Sequence, residues 1–177
     1  MNSVFKEFYS LYHKDIYSFL FYMTKNRELT EDLVQEVYIR IIKSYERFEG
    51  KSTMKTWALS IARNVAIDHF RKENTLKKRL FSQVDWKDYE IRDTNPIPED
   101  VIVQSDRVRL LYQCLDKCTI DQRMVIVYRY IQDLSIAETA QVLGWTESKV
   151  KTTQHRAMKA LRAKMELVQG KEESVYE

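Results

Sequence analysis

From the N-terminus the large apolar residues Phe5, Phe8, Tyr12, Ile16, Phe19 and Met23 recur at steps of three and four. An α-helix turns once in about 3.6 residues, so this repeat lays one apolar face along a helix. The same step returns in Leu33, Val34, Val37, Ile41 and Tyr45, and in Trp57, Ile61 and Val65 with Phe70 at the far end. It resumes in Val108, Leu111 and Leu115 after Val101. Glycine and proline agree: the chain has 3 Gly and 2 Pro, and Gly50 and Gly144 fall where the helical pattern breaks. A sheet-rich fold needs many more tight turns than that. At 44% hydrophobic and 12% aromatic residues the chain is too apolar to stay disordered. The expectation is an all-α protein.

The breaks divide it. Thr30 is read as the N-cap of a second helix with Glu31 and Asp32 in its first turn, where acids suit the helix dipole. Ser52 or Thr53 is read as the cap of a third. These make a three-helix domain over residues 1–72. Residues 73–99 mix charges of both signs, lose periodicity and end in NPIP, which reads as a flexible linker. Residues 100–166 then form a four-helix domain. Thr119 with Gln122 and Ser135 with Glu138 are capping boxes ahead of apolar runs, and Thr146 caps the last helix, expected to run from Glu147 to about Lys164. Residues 167–177 are expected to fray.

Other classes fall away. No run of about 18 apolar residues occurs, and MNSVFKEFYS lacks an export signal, so the expected location is cytoplasmic. Cys114 and Cys118 lie one helical turn apart, and the histidines are scattered, which reads as idle thiols rather than zinc ligands or a disulfide. Neither a glycine-rich phosphate loop nor a nucleophile motif is present, and no catalytic residue, cofactor or metal is expected.

LGWTESKVKTTQHRAMKALR carries the strongest chemical signal. Two helices joined by Gly144, Trp145 and Thr146 make a helix-turn-helix, with Ile136, Ala140 and Leu143 facing inward from the first and Val150, Ala157 and Leu161 from the second. The opposite face of the second helix carries Ser148, Lys149, Lys151, Thr152, His155, Arg156, Lys159 and Arg162. Short polar residues near the N-terminus suit base edges, and later cations suit phosphates. The bland alternative is a solvated basic face. On the second helix of the chain, Asp32, Gln35, Glu36 and Arg40 make a polar ridge whose acids repel DNA and suit a protein partner. On the third, Arg63, Asn64, Asp68 and Arg71 point away from the apolar stripe; Arg and Asn suit DNA, while Asp68 suits orienting a neighbouring Arg. Trp57, on that stripe, reads as core rather than as a DNA-melting aromatic. A free-standing repressor or an adaptor with a basic helix are the rival classes.

The segments DLVQEVYIRIIKSYERFEG, KTWALSIARNVAIDHFRK and DQRMVIVYRYIQDLSIAETAQVLGWTESKVKTTQHRAMKALR resemble, in order and separation, regions 2 and 4 of extracytoplasmic-function sigma factors, the specificity subunits of bacterial RNA polymerase. The resemblance implies that Asp32, Gln35 and Glu36, with Arg40 beside them, dock on the clamp helices of the largest subunit of core RNA polymerase. It implies that the segment from Phe48 to Lys55, with Lys51 and Ser52, captures a base flipped from the −10 element, next to Arg63, Asn64, Asp68 and Arg71. Unstacking that base costs a few kcal/mol, so a polar pocket must hold it. The helix-turn-helix then corresponds to the reader of the −35 element, the linker to the strand threading the RNA exit path, and the polymerase flap to a further contact. Promoter DNA and an anti-sigma factor are the other implied partners. Thr153 and Gln154 depart from the Arg and Leu common in relatives, which leaves the −35 bases open, and CTIDQR replaces the usual leucine-proline lead.

Overall fold

The computed structural model describes residues 2–81, 106–115 and 118–173, and every described element is helical. The chain divides into two units between Asn95 and Pro96.

In the first unit α1 spans Asn2–Thr24, α2 spans Arg27–Ser44, a 3-10 turn covers Tyr45–Arg47 and α3 spans Met54–Phe81. Lys25 turns left-handed at φ 54 and stops α1. Asn26, not Thr30, then caps α2: it is extended, and its Oδ1 accepts from Leu29 N at 2.9 Å. The acid of the first turn is therefore Glu28. Thr30 is fully buried, donates to the Asn26 carbonyl at 2.7 Å and meets Thr24 Oγ1 at 2.7 Å, so it pins the α1–α2 corner. The core joins Phe8, Ile16, Phe19 and Met23 of α1 to Leu33, Val34, Val37 and Ile41 of α2, as the periodicity implies. Tyr45 departs from that stripe: it sits in the 3-10 turn, 37% exposed, where the helical phase is already lost. On α3 the buried strip is Ala58, Leu59, Ala62, Val65 and Ala66, while Trp57 and Ile61 are only half-buried. Small alanines let neighbouring backbones approach, and a reading weighted towards large side chains misses them. α3 also continues past Lys72 to Phe81, into the stretch expected as linker; residues 82–99 lie outside the described ones.

In the second unit α4 spans Asp106–Cys114, α5 spans Ile120–Ile126, a π-turn covers Val127–Ile131, α6 spans Ile136–Leu143 and α7 spans Glu147–Glu173. Val101 lies outside the described residues; Leu111 is half-buried and Leu115 buried. Thr119 with Gln122 and Ser135 with Glu138 form complete capping boxes. α6 ends on Gly144 at φ 65, a left-handed C-cap in which Trp145 N donates to the Ala140 carbonyl at 2.9 Å. Lys149 N donates to Thr146 Oγ1 at 3.2 Å, starting α7. Ala140, Leu143, Val150, Ala157 and Leu161 are buried, with Thr139 and Val142, whereas Ile136 is half-buried. Each large apolar side chain buried there stabilises the unit by about 1.5–3 kcal/mol. α7 runs to Glu173, beyond Glu166, where fraying was expected.

Candidate nucleic-acid interface

Packing decides which face of α7 is left for a ligand. With Val150, Ala157 and Leu161 inward, Ser148, Lys149, Lys151, Thr152, His155, Arg156, Lys159 and Arg162 are all exposed. Lys149 Nζ lies 3.8 Å over the Trp145 ring, a cation–π contact that steadies the cation at the start of the helix. Lys151 Nζ is 3.8 Å from Glu147, a pair with both side chains more than half exposed and therefore easily given up.

Two open grooves flank this face. One, of about 530 Å³, runs between Thr119 and Gln122 at the start of α5 and Ser148, Thr152 and Arg156 on α7. The other, of about 700 Å³, runs between Tyr130 on the π-turn and the Lys151, Lys159 and Arg162 side of α7. Thr153 lines the first and Gln154 the second, so the two departures from the usual pattern lie on opposite flanks. Sequence reasoning missed both outer walls. Thr119 and Gln122 carried only a capping signal, and Tyr130 carried none.

The first unit sorts its candidates differently. Asp32 and Gln35 are exposed on α2, with Glu36 and Arg40 partly so. Arg40 makes two ion pairs: its Nε donates to Glu36 at 2.8 Å and its Nη1 to Asp68 of α3 at 2.9 Å. These bonds, Glu36 first, raise the pKa of the guanidinium. Asp68 therefore orients an arginine of another helix, while Arg63 Nη1 donates to Asn64 Oδ1 at 2.9 Å. Arg71 is exposed. In the 48–55 segment, Phe48 packs on Trp57 with centroids 5.0 Å apart, and Tyr45 meets the same ring at 6.3 Å. Trp57 thus touches two aromatic rings while staying half-buried. Lys51 pairs with Glu49, Ser52 Oγ donates to the Thr53 carbonyl, and Lys55 reaches Asp15 of α1 at 3.3 Å. Lys55 accordingly faces a carboxylate in this structure.

No group able to hold a metal occurs among the described residues, and no described helix is long and apolar enough to cross a membrane. Cys114 and Cys118 are buried thiols, not a disulfide.

A capped helix-turn-helix with a cationic outer face is the geometry of a DNA-binding unit. Comparison narrows the class. The sigma-70 region 2 family matches residues 8–75, and the sigma-70 region 4 family matches residues 109–161. The chain is 54% identical over 168 residues to the ECF RNA polymerase sigma factor SigX of Bacillus subtilis, covering 95% of this chain and 87% of that one. It is 30% identical to the RNA polymerase sigma factor YlaC of the same organism, covering 90% and 91%. Among solved structures, the sigma factor RpoE of Bartonella quintana, in complex with the anti-sigma factor NepR, shares the fold at TM-score 0.73 and 22% identity, over 92% of this chain and 96% of that one. The chain belongs to the extracytoplasmic-function group of sigma-70 family RNA polymerase sigma factors.

Proposed function

We propose that the two units divide the work of promoter recognition. α7 enters the major groove at the −35 element, with Ser148, Lys149, Lys151 and Thr152 near base edges and His155, Arg156 and Lys159 towards phosphates. The 48–55 segment and Arg63, Asn64 and Arg71 engage the −10 element. Asp32, Gln35 and Glu36 dock on core polymerase, and Arg40 supports them from behind. One observation carries this reading: the helix-turn-helix buries Val150, Ala157 and Leu161 and leaves a continuous cationic and hydroxyl-bearing face outward.

Bond-making belongs to the polymerase in this reading, and the chain itself supplies no catalysis. It works in the cytoplasm. Residues 1–72 and 100–166 act as the functional domains, with 73–99 as the connecting strand and 167–177 as a tail beyond them. Control by an anti-sigma factor is supported by the bound state of the Bartonella quintana relative. Run-off transcription with core polymerase tests the whole: promoter-dependent transcript is expected, and its absence, with DNA binding retained, selects the repressor reading instead.

A further inference from the structure

The start of α1 and the end of α2 leave apolar surface uncovered. Val4 and Phe8 stand one turn apart on α1, and Ile41, Ile42 and Tyr45 close α2 and the 3-10 turn. Phe8 and Ile41 are buried, but Val4 is 47% and Ile42 56% exposed. With Phe5 these residues line a pocket of about 280 Å³, in which Glu46 alone is charged. Large apolar side chains gathered round a surface cavity mark an interaction site.

Tyr45 is shared between this pocket and α3. Its ring meets Phe8 edge to face at 6.5 Å and Trp57 at 6.3 Å, and Trp57 meets Phe48 at 5.0 Å. A wall of the pocket is therefore joined through Trp57 to Phe48, at the head of the 48–55 segment.

Size and charge define the occupant. Small-molecule sites usually span about 300–1,000 Å³ and enclose their ligand. This pocket falls just short of that range and its rim is exposed, which suits an apolar side chain carried by a protein segment. Protein interfaces concentrate affinity in such anchors. Glu46 is exposed at the wall, and its carboxylate favours a base beside the anchor. The polymerase ridge is a different face. Ile42 stands about 15 Å along α2 from Asp32, and Arg40 leans from the ridge to Asp68 of α3, whereas Ile41 and Ile42 form the pocket with α1.

We propose that this pocket takes the apolar anchor of a regulatory protein segment with Lys or Arg next to that anchor. Occupancy holds Tyr45 against Trp57 and Phe48 in its packed place, and so opposes engagement of the −10 element. The effect on the −10 element rests on the role proposed for the 48–55 segment; the docking does not.

The test is methyl NMR of the isoleucine-labelled full chain with short peptides, one carrying a leucine flanked by lysines and one the same leucine flanked by glutamates. The lysine peptide should shift the Ile41 and Ile42 methyls, leave Ile136 of the second unit unmoved, and bind about two- to fivefold tighter than the glutamate peptide, as for one exposed ion pair. Glu46→Gln should remove that preference. Ile42→Lys and Val4→Lys, both at exposed positions, should abolish the shifts. No shift with the lysine peptide, or one that both variants leave intact, overturns the site; equal binding of the two peptides in the unaltered chain overturns the charge assignment. Phenethylammonium binding more tightly than the lysine peptide makes this a small-molecule site and overturns the protein occupant. Loss of co-elution with core polymerase in Ile42→Lys gives the pocket to the polymerase and overturns the regulatory partner. In reconstituted holoenzyme, saturating lysine peptide should lower affinity for a single-stranded −10 oligonucleotide; unchanged affinity with the docking intact overturns the coupling. If −10 binding is indifferent to Lys51→Ala, the role of the 48–55 segment fails instead, and the docking stands.

Discussion

Arg40 was expected to face polymerase, yet the fold spends it on two carboxylates, and the two roles separate experimentally. Its Nε lies 2.8 Å from Glu36 and its Nη1 2.9 Å from Asp68, so removing it loses two charge-assisted bonds and leaves two acids facing one another across α2 and α3. All three side chains are more than a third exposed, 37% for Arg40, 44% for Glu36 and 43% for Asp68. Each pair is therefore worth about 0.2–1 kcal/mol after solvent screening and side-chain entropy are counted. Arg40→Ala should cost about 1 kcal/mol of bundle stability, roughly a fivefold change in the folding equilibrium. Asp68→Ala should cost less, and the double variant about as much as Arg40→Ala alone. Native-state hydrogen exchange at α2 and α3 amides measures the cycle, and co-elution with core polymerase measures docking. A coupling energy of zero between positions 40 and 68 refutes the strut. Docking that fails in Arg40→Ala but survives in Asp68→Ala, with unchanged exchange, restores Arg40 as a direct polymerase contact.

Three further outcomes are expected. Gly144→Ala should destabilise the second unit by about 1–2 kcal/mol, the strain of a left-handed alanine, because an added Cβ there meets nothing within 4 Å; a much larger loss by urea denaturation contradicts that account. Asp15→Asn should release Lys55, now 3.3 Å away, and raise holoenzyme affinity for a single-stranded −10 oligonucleotide with a steeper salt slope; an unchanged slope removes Lys55 from the −10 surface. His13, stacked on Tyr9 at 4.3 Å and bonded to Tyr38 Oη at 3.1 Å, has its pKa lowered by burial. Its neutral form is the one the fold favours, so stability is held above pH 6.5 and falls as pH drops through and below that value; His13→Gln should flatten this component of a pH series of urea melts, and an unaltered profile excludes it.

Legibility followed sequence separation. The capping boxes at Thr119 and Ser135 and the glycine stop at Gly144 are settled within three or four residues, and they stood in the sequence as they stand in the fold. So did the inward set Val150, Ala157 and Leu161, because one helical period fixes it. Thr30 looks like a cap in the sequence because residue type alone does not show that Asn26 already satisfies the first turn. The alanine strip of α3 was missed because burial there depends on how closely α1 and α2 approach. The Arg40–Asp68 bond spans 28 positions, and only the need of Asp68 for some arginine was visible beforehand. Tyr130 stayed hidden for another reason: the π-turn shifts the helical phase, so counting at 3.6 residues per turn gives no account of where it lies.

The charge pattern shows why a small total says little about such a chain. Its net charge is +3, yet α7 bears Lys149, Lys151, Arg156, Lys159 and Arg162 on exposed positions, while α2 bears Asp32 and Glu36 on its ridge. Fields of exposed charges fade over about 10 Å at 0.1 M salt. The charges within about that distance of a bound partner therefore act on it more than the sum over the chain. The salt slope of −35 binding should then track substitutions on α7 and remain unmoved by neutralising Asp32 or Glu36, although the latter change raises the net charge and should weaken polymerase docking. A slope that rises with the net charge, whichever face is altered, would mean that the chain binds DNA as a diffuse cation, and the assignment of separate faces to separate partners would fall.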